Sequence, residues 1–173
     1  MYLVQYKDQT SYGELKVSIC KDQYEVEQMW NLDDSALDMI DVREVDEYFR
    51  VVVAGSRHFK DYDRLSRELD YLLQFKKNAI IVSGNAEGAD KLGEQYARDR
   101  DLLIDTYIPD WRPQGPKGPY DNAAGHKRNR EMADNADAAV IFWDGVSRGS
   151  EGMINYCKRI GLDHRVIKYN LAM

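Results

Sequence analysis

From Phe49 onward, the chain repeats one pattern: a short apolar run rich in β-branched residues, a turn-rich stretch and an amphipathic helix. The apolar runs occupy residues 49–55, 78–84, 102–109, 138–143 and 165–170. Apolar strands that alternate with helices build a parallel sheet covered on both faces, because right-handed crossovers place helices there. The pattern predicts an α/β fold, a Rossmann-like doubly wound parallel sheet with strand order 3-2-1-4-5, whose topological switch separates the first and fourth strands.

Apolar residues at helical spacing predict the helices between these strands. The inward-facing residues predicted for three of them are Tyr62, Leu65, Leu69 and Leu72 after a capping Asp61, then Ala89, Leu92, Tyr96 and Ala97, and then Met153, Ile154, Cys157 and Ile160. A further helix is predicted near residues 122–136. The helices should cover the two faces of the sheet.

The first 48 residues do not follow this rhythm. YLVQYKD and LKVSICKD indicate short strands around a Tyr12-Gly13 turn, and QYEVEQMWN indicates a short helix. The segment ALDMIDVREVDEY mixes strand character with acidic residues. We expect residues 1–48 to form a small α+β appendage on a domain of residues 49–173, or alternatively a dimer contact.

Composition limits the classes of function. The chain has 173 residues, a net charge of -6 and a pI near 5.1, which weighs against a protein that coats duplex nucleic acid. We therefore do not expect nucleic acid as a partner. There is no signal-peptide pattern and no apolar run of the roughly 20 residues that span a bilayer, so we expect a cytoplasmic protein with no membrane partner. Cys20 and Cys157 have no metal or disulfide spacing, so we expect free thiols.

Four motifs each follow a predicted strand, at residues 54–59, 83–90, 109–120 and 143–153. Because the carboxyl ends of parallel strands meet at one edge of the sheet, all four should lie around the crevice at the topological switch, where open α/β sheets bind ligands. All four prolines of the chain lie in the third motif, a loop whose length is more typical of function than of connection.

Two of these motifs have the form of phosphate-binding loops. In SGNAEGAD, Gly84 and Gly88 let the backbone approach a ligand, and the free N–H groups of the following helix favour an anion. The alternative is a tight turn with no ligand. WDGVSRGS repeats this arrangement with two glycines and two hydroxyls.

On the helix predicted from AGHKRNREM, one face carries Gly125, Arg128, Asn129, Met132 and Ala136, whereas Lys127 and Arg130 point elsewhere. A buried arginine needs a partner, which for Arg128 is either a carboxylate such as Asp90 or Asp110, or a ligand phosphate. Arg57 is a stronger candidate for phosphate, because nothing in the packing explains an arginine directly after the first strand.

The predicted ligand- and phosphate-binding residues are Gly55, Ser56, Arg57, Ser83, Gly84, Asn85, Gly88, Arg128, Asn129, Asp144, Gly145, Ser147, Gly149 and Ser150. Three aromatic residues on the same rim are candidates for stacking on a base or, alternatively, for closing helix ends: Trp111, Tyr120 and Trp143. The histidines have no partners at metal spacing, so no metal and no cofactor are predicted. Neither a nucleophile elbow nor a Walker lysine is present.

The ordered motifs GSRHF-x-D, SGNAEGAD, PDW, AGHKRNREM and FWDGVSRGSEGMI resemble the YspA-type, YpsA-related branch of the SLOG superfamily. That superfamily includes the Lonely Guy (LOG) phosphoribohydrolases and the DNA-processing protein DprA. The resemblance covers about residues 50–170. It implies a Rossmann-like nucleotide-binding fold, often dimeric or a higher homo-oligomer, in bacteria and their phages.

The chain departs from the family pattern at informative positions. Asn85 stands where the branch has a second glycine, and Ser150 stands where threonine is usual. The catalytic glutamate of the LOG motif falls on Met153, and Glu151 lies two positions early, about 200° around a helix. The resemblance therefore does not carry LOG catalysis to this chain.

Three functions follow from these observations. The first is binding, for sensing or sequestration, of a nucleotide-type small molecule such as an ADP-ribose-like or cyclic nucleotide signal. The second is hydrolysis of an N-glycosidic or phosphoribosyl bond, with Asp90, Asp144 or Glu151 as acid or base. The third is DprA-like binding of single-stranded DNA, which the acidic composition disfavours.

Overall fold

The structure, a computed structural model, describes residues 1–9, 13–31 and 37–170. Its elements in chain order are β1 (Tyr2–Asp8), β2 (Glu14–Cys20), α1 (Gln23–Asn31), β3 (Leu37–Glu44), β4 (Phe49–Gly55), α2 (Tyr62–Leu73), β5 (Ala79–Ser83), α3 (Ala89–Asp99), β6 (Leu103–Thr106), α4 (Ala124–Asp134), β7 (Ala138–Trp143), α5 (Arg148–Ile160) and β8 (Asp163–Lys168).

The strands between residues 49 and 168 form a parallel sheet with strand order β6-β5-β4-β7-β8. This is the predicted order 3-2-1-4-5, and the predicted Rossmann-like α/β fold is confirmed. The chain runs outward from β4 to β6, then returns to β7 on the other side. The topological switch therefore lies between β4 and β7, the strands that carry the first and fourth motifs.

Helices cover both faces of this sheet. On one face, Leu65 and Leu69 of α2 and Tyr96 of α3 are buried against the strands. On the other face, the helices α4 and α5 contribute Met132 and Cys157, among others, to a second apolar cluster. The side chain of Asp61 caps α2 by accepting a hydrogen bond from the N–H of Arg64, as the sequence predicts.

One of the four side chains of α5 that were predicted to face the core, that of Ile160, does not do so. Met153, Ile154 and Cys157 are buried, but Ile160 is 41% exposed. Ile160 is the final residue of the helix, and Gly161 follows it in the left-handed conformation with φ of 71°. The helix thus ends at Ile160, whose side chain stays in solvent.

Three strands have other limits than predicted. β5, at Ala79–Ser83, is one residue shorter at each end than the predicted residues 78–84. β6 ends at Thr106 instead of continuing to residue 109, because pairing with β5 stops where Ser83 lies opposite Thr106. β8 begins at Asp163 and ends at Lys168, two residues earlier than predicted at each end. The left-handed Gly161 turns the chain directly into this strand, and Asp163 already pairs with Ala138.

The first residues form a separate antiparallel sheet of order β2-β1-β3 with the short helix α1. The predicted strands and helix of this segment are present, while Tyr12 of the predicted turn and Ala36 lie outside the described residues. The sheet packs by β2 against β6, where the ammonium of Lys16 lies 3.2 Å from a carboxylate oxygen of Asp105. Arg50 pairs with the other oxygen at 2.5 Å, so one buried carboxylate holds two cations.

Candidate functional site

The loops after β4, β5, β6 and β7 meet at the carboxyl edge of the parallel sheet and enclose a cleft of about 590 Å³. This volume lies within the range of small-molecule sites, roughly 300–1,000 Å³. The residues that line it are Ala54, Gly55, Ser56, Arg57, His58, Ala86, Asp90, Trp111, Asn122, Gly125, His126, Arg128, Asn129, Asp144, Val146, Ser147, Gly149, Ser150 and Met153. The motifs thus come together at the switch point.

The loop after β4 forms the centre of the cleft. A side chain at Gly55 would lie 2.3 Å from the carbonyl oxygen of Phe142, so only glycine allows β4 and β7 to approach this closely. The buried Ser56 joins the same two strands: its N–H donates to that carbonyl, and its hydroxyl accepts from the N–H of Asp144 at 3.2 Å. Arg57 follows on the exposed rim, and within the described residues its guanidinium has no hydrogen-bond or ion-pair partner.

The loop after β5 contributes mainly backbone atoms to the wall of the cleft. Gly88 has φ of 85°, and a side chain there would lie 2.3 Å from the carbonyl oxygen of Ser56. Asn85 adopts φ of 58°, a conformation that asparagine tolerates better than most residues, which explains how it replaces the glycine of the family pattern. Ser83 is buried and donates to Glu94. Ser83, Gly84, Asn85 and Gly88 therefore shape the wall of the cleft without lining it.

Arg128 enters the cleft from α4, as the helical spacing predicts. Its Nη1 donates to the carbonyl oxygens of Gly84, at 2.5 Å, and Tyr107, at 3.3 Å, and its Nε donates to Asn129. Among the described residues, Nη2 has no partner. Gly84 makes this arrangement possible, because a side chain there would lie within 2.7 Å of Asp90 and of Arg128.

Asp90 lies beneath Arg128 and is only 4% exposed. Burial raises the pKa of its carboxyl to about 6, against the lowering effects of the Arg128 charge and of the hydrogen bond from the N–H of Ala86. The same burial lowers the pKa of Arg128, while Asp90 acts in the opposite direction. No ion pair shorter than 4 Å joins the two described side chains, so neither predicted partner, Asp90 or Asp110, neutralises Arg128 in direct contact.

The loop after β7 is ordered by Asp144. One carboxylate oxygen accepts the N–H groups of Val146, at 3.0 Å, and Ser147, at 2.8 Å. Desolvation works to raise the pKa of Asp144, but these hydrogen bonds and that of Ser56 outweigh it and hold the pKa below its ordinary value. Gly145, with φ of 85°, turns this loop but does not line the cleft. Asp144 is therefore an ionised carboxylate that supports a turn.

Three helices begin at the cleft, and none has a side-chain cap. The first turns of α3, α4 and α5 contribute Asp90, His126 and Ser150 to the lining, and within the described residues no side chain accepts a cap hydrogen bond at any of the three. By contrast α2, which also follows this edge, is capped by Asp61. The first N–H groups of α3 and α4 have backbone partners, because Ala89 donates to the carbonyl oxygen of Ser56 and Ala124 to that of Asp121. The next N–H groups of these uncapped turns and the positive ends of the helix dipoles favour an anion in the cleft.

The predicted aromatic residues have different places. Trp111 lines the cleft, and the ring of Tyr120 stacks on it at 5.3 Å with an interplanar angle of 6°. Trp143 is half-buried, and its indole N–H donates to the carbonyl oxygen of Ser147 at 3.1 Å. Trp111 is therefore positioned to meet a ligand, Tyr120 supports it, and Trp143 holds the loop after β7.

The carboxylates considered for catalysis differ in access. Glu151 is exposed in the first turn of α5 and does not line the cleft. Met153, at the LOG glutamate position, is 1% exposed, packs in the apolar cluster of α4 and α5, and forms part of the cleft floor. Asp90 is the carboxyl that still qualifies as a candidate acid or base, because it lines the cleft and its pKa is about 6.

The sequence motifs at residues 83–88 and 144–150 predict Ala86 and Val146 in the lining, whereas His58, Asn122 and His126 were not predicted there. Each of these three lies in a motif or loop that the sequence places at this edge, so proximity in sequence was the available signal. The described residues contain no cluster of three or more side chains suited to a metal ion. No described helix is long and apolar enough to cross a membrane.

The fold and the cleft define a Rossmann-like α/β protein with a crevice at its topological switch point. Residues 49–113 match the model of the YspA, cpYpsA-related SLOG family (YAcAr), which confirms the predicted resemblance over this segment. No curated protein matches the sequence.

Two solved structures are similar in fold. DNA processing protein A (DprA) from Streptococcus pneumoniae aligns with a TM-score of 0.56 at 19% identity, over 72% of this chain and 52% of that one. The protein of the same name from Helicobacter pylori aligns with a TM-score of 0.52 at 20% identity, over 71% and 66%, and is described with a single-stranded DNA binding mode. The chain thus spans about half to two-thirds of these neighbours. At such identities the likeness concerns the fold.

Proposed function

We propose that the protein binds a nucleotide-type small molecule in this cleft, holding it through its phosphate, and releases it unchanged. The observation that carries the proposal is the convergence of three uncapped helix starts and two arginines in one 590 Å³ cleft. Uncapped N–H groups and guanidinium groups recognise phosphate oxygens with short, charge-assisted hydrogen bonds.

The two arginines have complementary roles in this proposal. Arg128 is held by two carbonyl oxygens and keeps Nη2 available among the described residues, so it is pre-organised. Arg57 stands on the rim, has no hydrogen-bond or ion-pair partner among the described residues, and closes on the phosphate from the other side. Their mutual repulsion, part of what lowers the pKa of Arg128, is relieved when an anion binds between them.

Trp111 supplies the surface for a base. One face is occupied by Tyr120, and the residue also lines the cleft. An aromatic ring fixed from behind loses little conformational freedom when a base stacks on it. A cleft with a site for a base and a site for a phosphate fits a nucleotide-type ligand.

Hydrolysis is the second candidate, and the pKa of Asp90 is the observation in its favour, because perturbed carboxyls in clefts are candidate acids or bases. Against it, the position of the LOG glutamate is Met153, whose thioether transfers no proton. Asp144 has a lowered pKa and is engaged in its turn.

Binding of single-stranded DNA is the third candidate. It is favoured by the fold shared with DprA, whose H. pylori form is described as a single-stranded DNA binder. The net charge of -6 disfavours it. Oligonucleotide binding that weakens steeply with salt would support this function over a small-molecule one.

The proposal predicts that Arg57→Ala weakens nucleotide binding more than Lys127→Ala. Both variants remove one positive charge near the cleft, but Lys127 points to solvent and pairs with Asp121 at 2.6 Å. We expect Arg57→Ala to cost on the order of 1–3 kcal/mol of binding free energy. Calorimetric titration with the four nucleoside 5′-monophosphates, NAD and ADP-ribose measures it. Equal losses in the two variants would show that Arg57 makes no specific contact.

A further inference from the structure

A second groove opens from the cleft between α4 and α5. It has a volume of about 190 Å³ and is lined by His126, Asn129, Arg130, Gly152, Asn155, Tyr156 and Arg159. His126 and Asn129 line both the groove and the cleft, so the two spaces adjoin at these side chains. We call this space the α4–α5 groove.

The α4–α5 groove is positively charged in an acidic protein. Arg130 and Arg159 lie on its two sides, and within the described residues neither has a hydrogen-bond or ion-pair partner. The guanidinium of Arg130 lies 5.6 Å from the ring centre of Tyr156, whose hydroxyl donates to Asp134 at 2.7 Å. The tyrosine hydroxyl is thus engaged, while the two guanidinium groups are available to an anion.

The close packing of α4 against α5 at this junction depends on a glycine. A side chain added at Gly152 would lie 3.3 Å from Nδ1 of His126, so the glycine leaves His126 its place at the junction. The volume of the α4–α5 groove is below the roughly 300–1,000 Å³ of small-molecule sites. By itself it is too small for a nucleotide-sized ligand, and it suits one further group of a ligand that is anchored in the cleft.

We propose that the ligand carries two phosphate-linked nucleotide units, one in the cleft and the phosphate of the other between Arg130 and Arg159. This inference rests on the proposed function and names the class of ligand that the same site takes. A small dinucleotide and a segment of a single-stranded oligonucleotide share this chemistry. The experiment distinguishes the two sources.

The test compares calorimetric affinities for the four nucleoside 5′-monophosphates, the corresponding 5′-phosphorylated homodinucleotides and a single-stranded dodecanucleotide. The test variant is Arg130→Gln/Arg159→Gln, which removes both arginine charges from the α4–α5 groove. The matched control is Lys127→Gln/Lys158→Gln, which removes the same charge from the same two helices outside the groove. All four substituted side chains are exposed, so the variants should fold, and thermal unfolding checks this.

In the wild type we expect a dinucleotide to bind about tenfold or more tightly than its mononucleotide, since a second charge-assisted contact adds to the first. Arg130→Gln/Arg159→Gln should remove this gain and leave mononucleotide affinity unchanged, while the control keeps both. A dodecanucleotide that binds no better than the dinucleotide identifies a small ligand, and one that binds much better identifies a strand.

Equal affinities for mono- and dinucleotides, or equal effects of the two double variants, would overturn the role of the α4–α5 groove while leaving the cleft intact. Failure of the proposed function has a different signature. In that case no mononucleotide binds, and Arg57→Ala changes the affinity of no probe. The proposal for the α4–α5 groove would then be wrong as well, because it depends on nucleotide binding in the cleft.

Discussion

The carboxyl group of Asp90 is the most perturbed charge in the cleft. Its pKa is raised from 3.8 to about 6 because the carboxyl is buried, with Arg128 compensating only in part. A raised pKa means that the folded state prefers the protonated acid. The stability that this preference contributes is fully present below about pH 4 and is lost as the pH rises through about 6.

We therefore predict that Asp90→Asn flattens the pH dependence of unfolding. The free energy of unfolding of the variant, relative to the wild type, should rise between pH 4 and pH 7 by on the order of 3 kcal/mol, since each pKa unit corresponds to about 1.4 kcal/mol. Denaturation with urea at several pH values measures it. Asp46→Asn, at an exposed loop carboxylate, is the control. Parallel curves for Asp90→Asn and wild type would contradict the burial effect.

At the scale of secondary-structure elements, the cleft depends on close contacts between the backbones of neighbouring loops. Gly88 has φ of 85° and ψ of -127°, and a side chain there would meet the carbonyl of Ser56. We predict that Gly88→Ala lowers the free energy of unfolding by on the order of 2–4 kcal/mol, from backbone strain and overpacking together. Gly149→Ala is the control, because nothing lies within 4 Å of a side chain there. Similar losses in both variants would contradict the contact between loops.

The contact between the two sheets leads to a second prediction at the scale of secondary-structure elements. Asp105 is buried between Arg50 and Lys16, so Asp105→Asn leaves Arg50 with no carboxylate partner among the described residues. We expect a loss of about 3–5 kcal/mol in the free energy of unfolding, measured by urea denaturation. Lys16→Met should cost clearly less, because Arg50 keeps its partner. Equal costs would mean that Asp105 does not act chiefly through Arg50.

The sequence predicts the parallel sheet well because its central strands, β5, β4 and β7, are largely apolar and each helix shows its own periodicity. Arg128 could be placed on the inward face of α4 by counting residues. Its carbonyl partners could not, since Gly84 and Tyr107 reach it only through folding.

At the scale of the whole molecule, the chain is acidic while its cleft is suited to anions. The negative surface repels bulk polyanions, and the arginines and helix starts attract a small anion that can enter the cleft. This arrangement accords with the proposed preference for a nucleotide-type molecule over long nucleic acid. Homo-oligomer formation and a cytoplasmic location stay predictions.

The central claim is that the cleft holds an intact phosphate-bearing nucleotide. The most direct measurement incubates the purified protein with nucleoside monophosphates, NAD and ADP-ribose, removes unbound molecules, denatures the protein and identifies what is released by mass spectrometry. We predict that one intact nucleotide-type compound is recovered from the wild type and is lost in Arg57→Ala. Recovery of no compound, or of free base and ribose phosphate in a reaction that Asp90→Asn abolishes, would contradict the account.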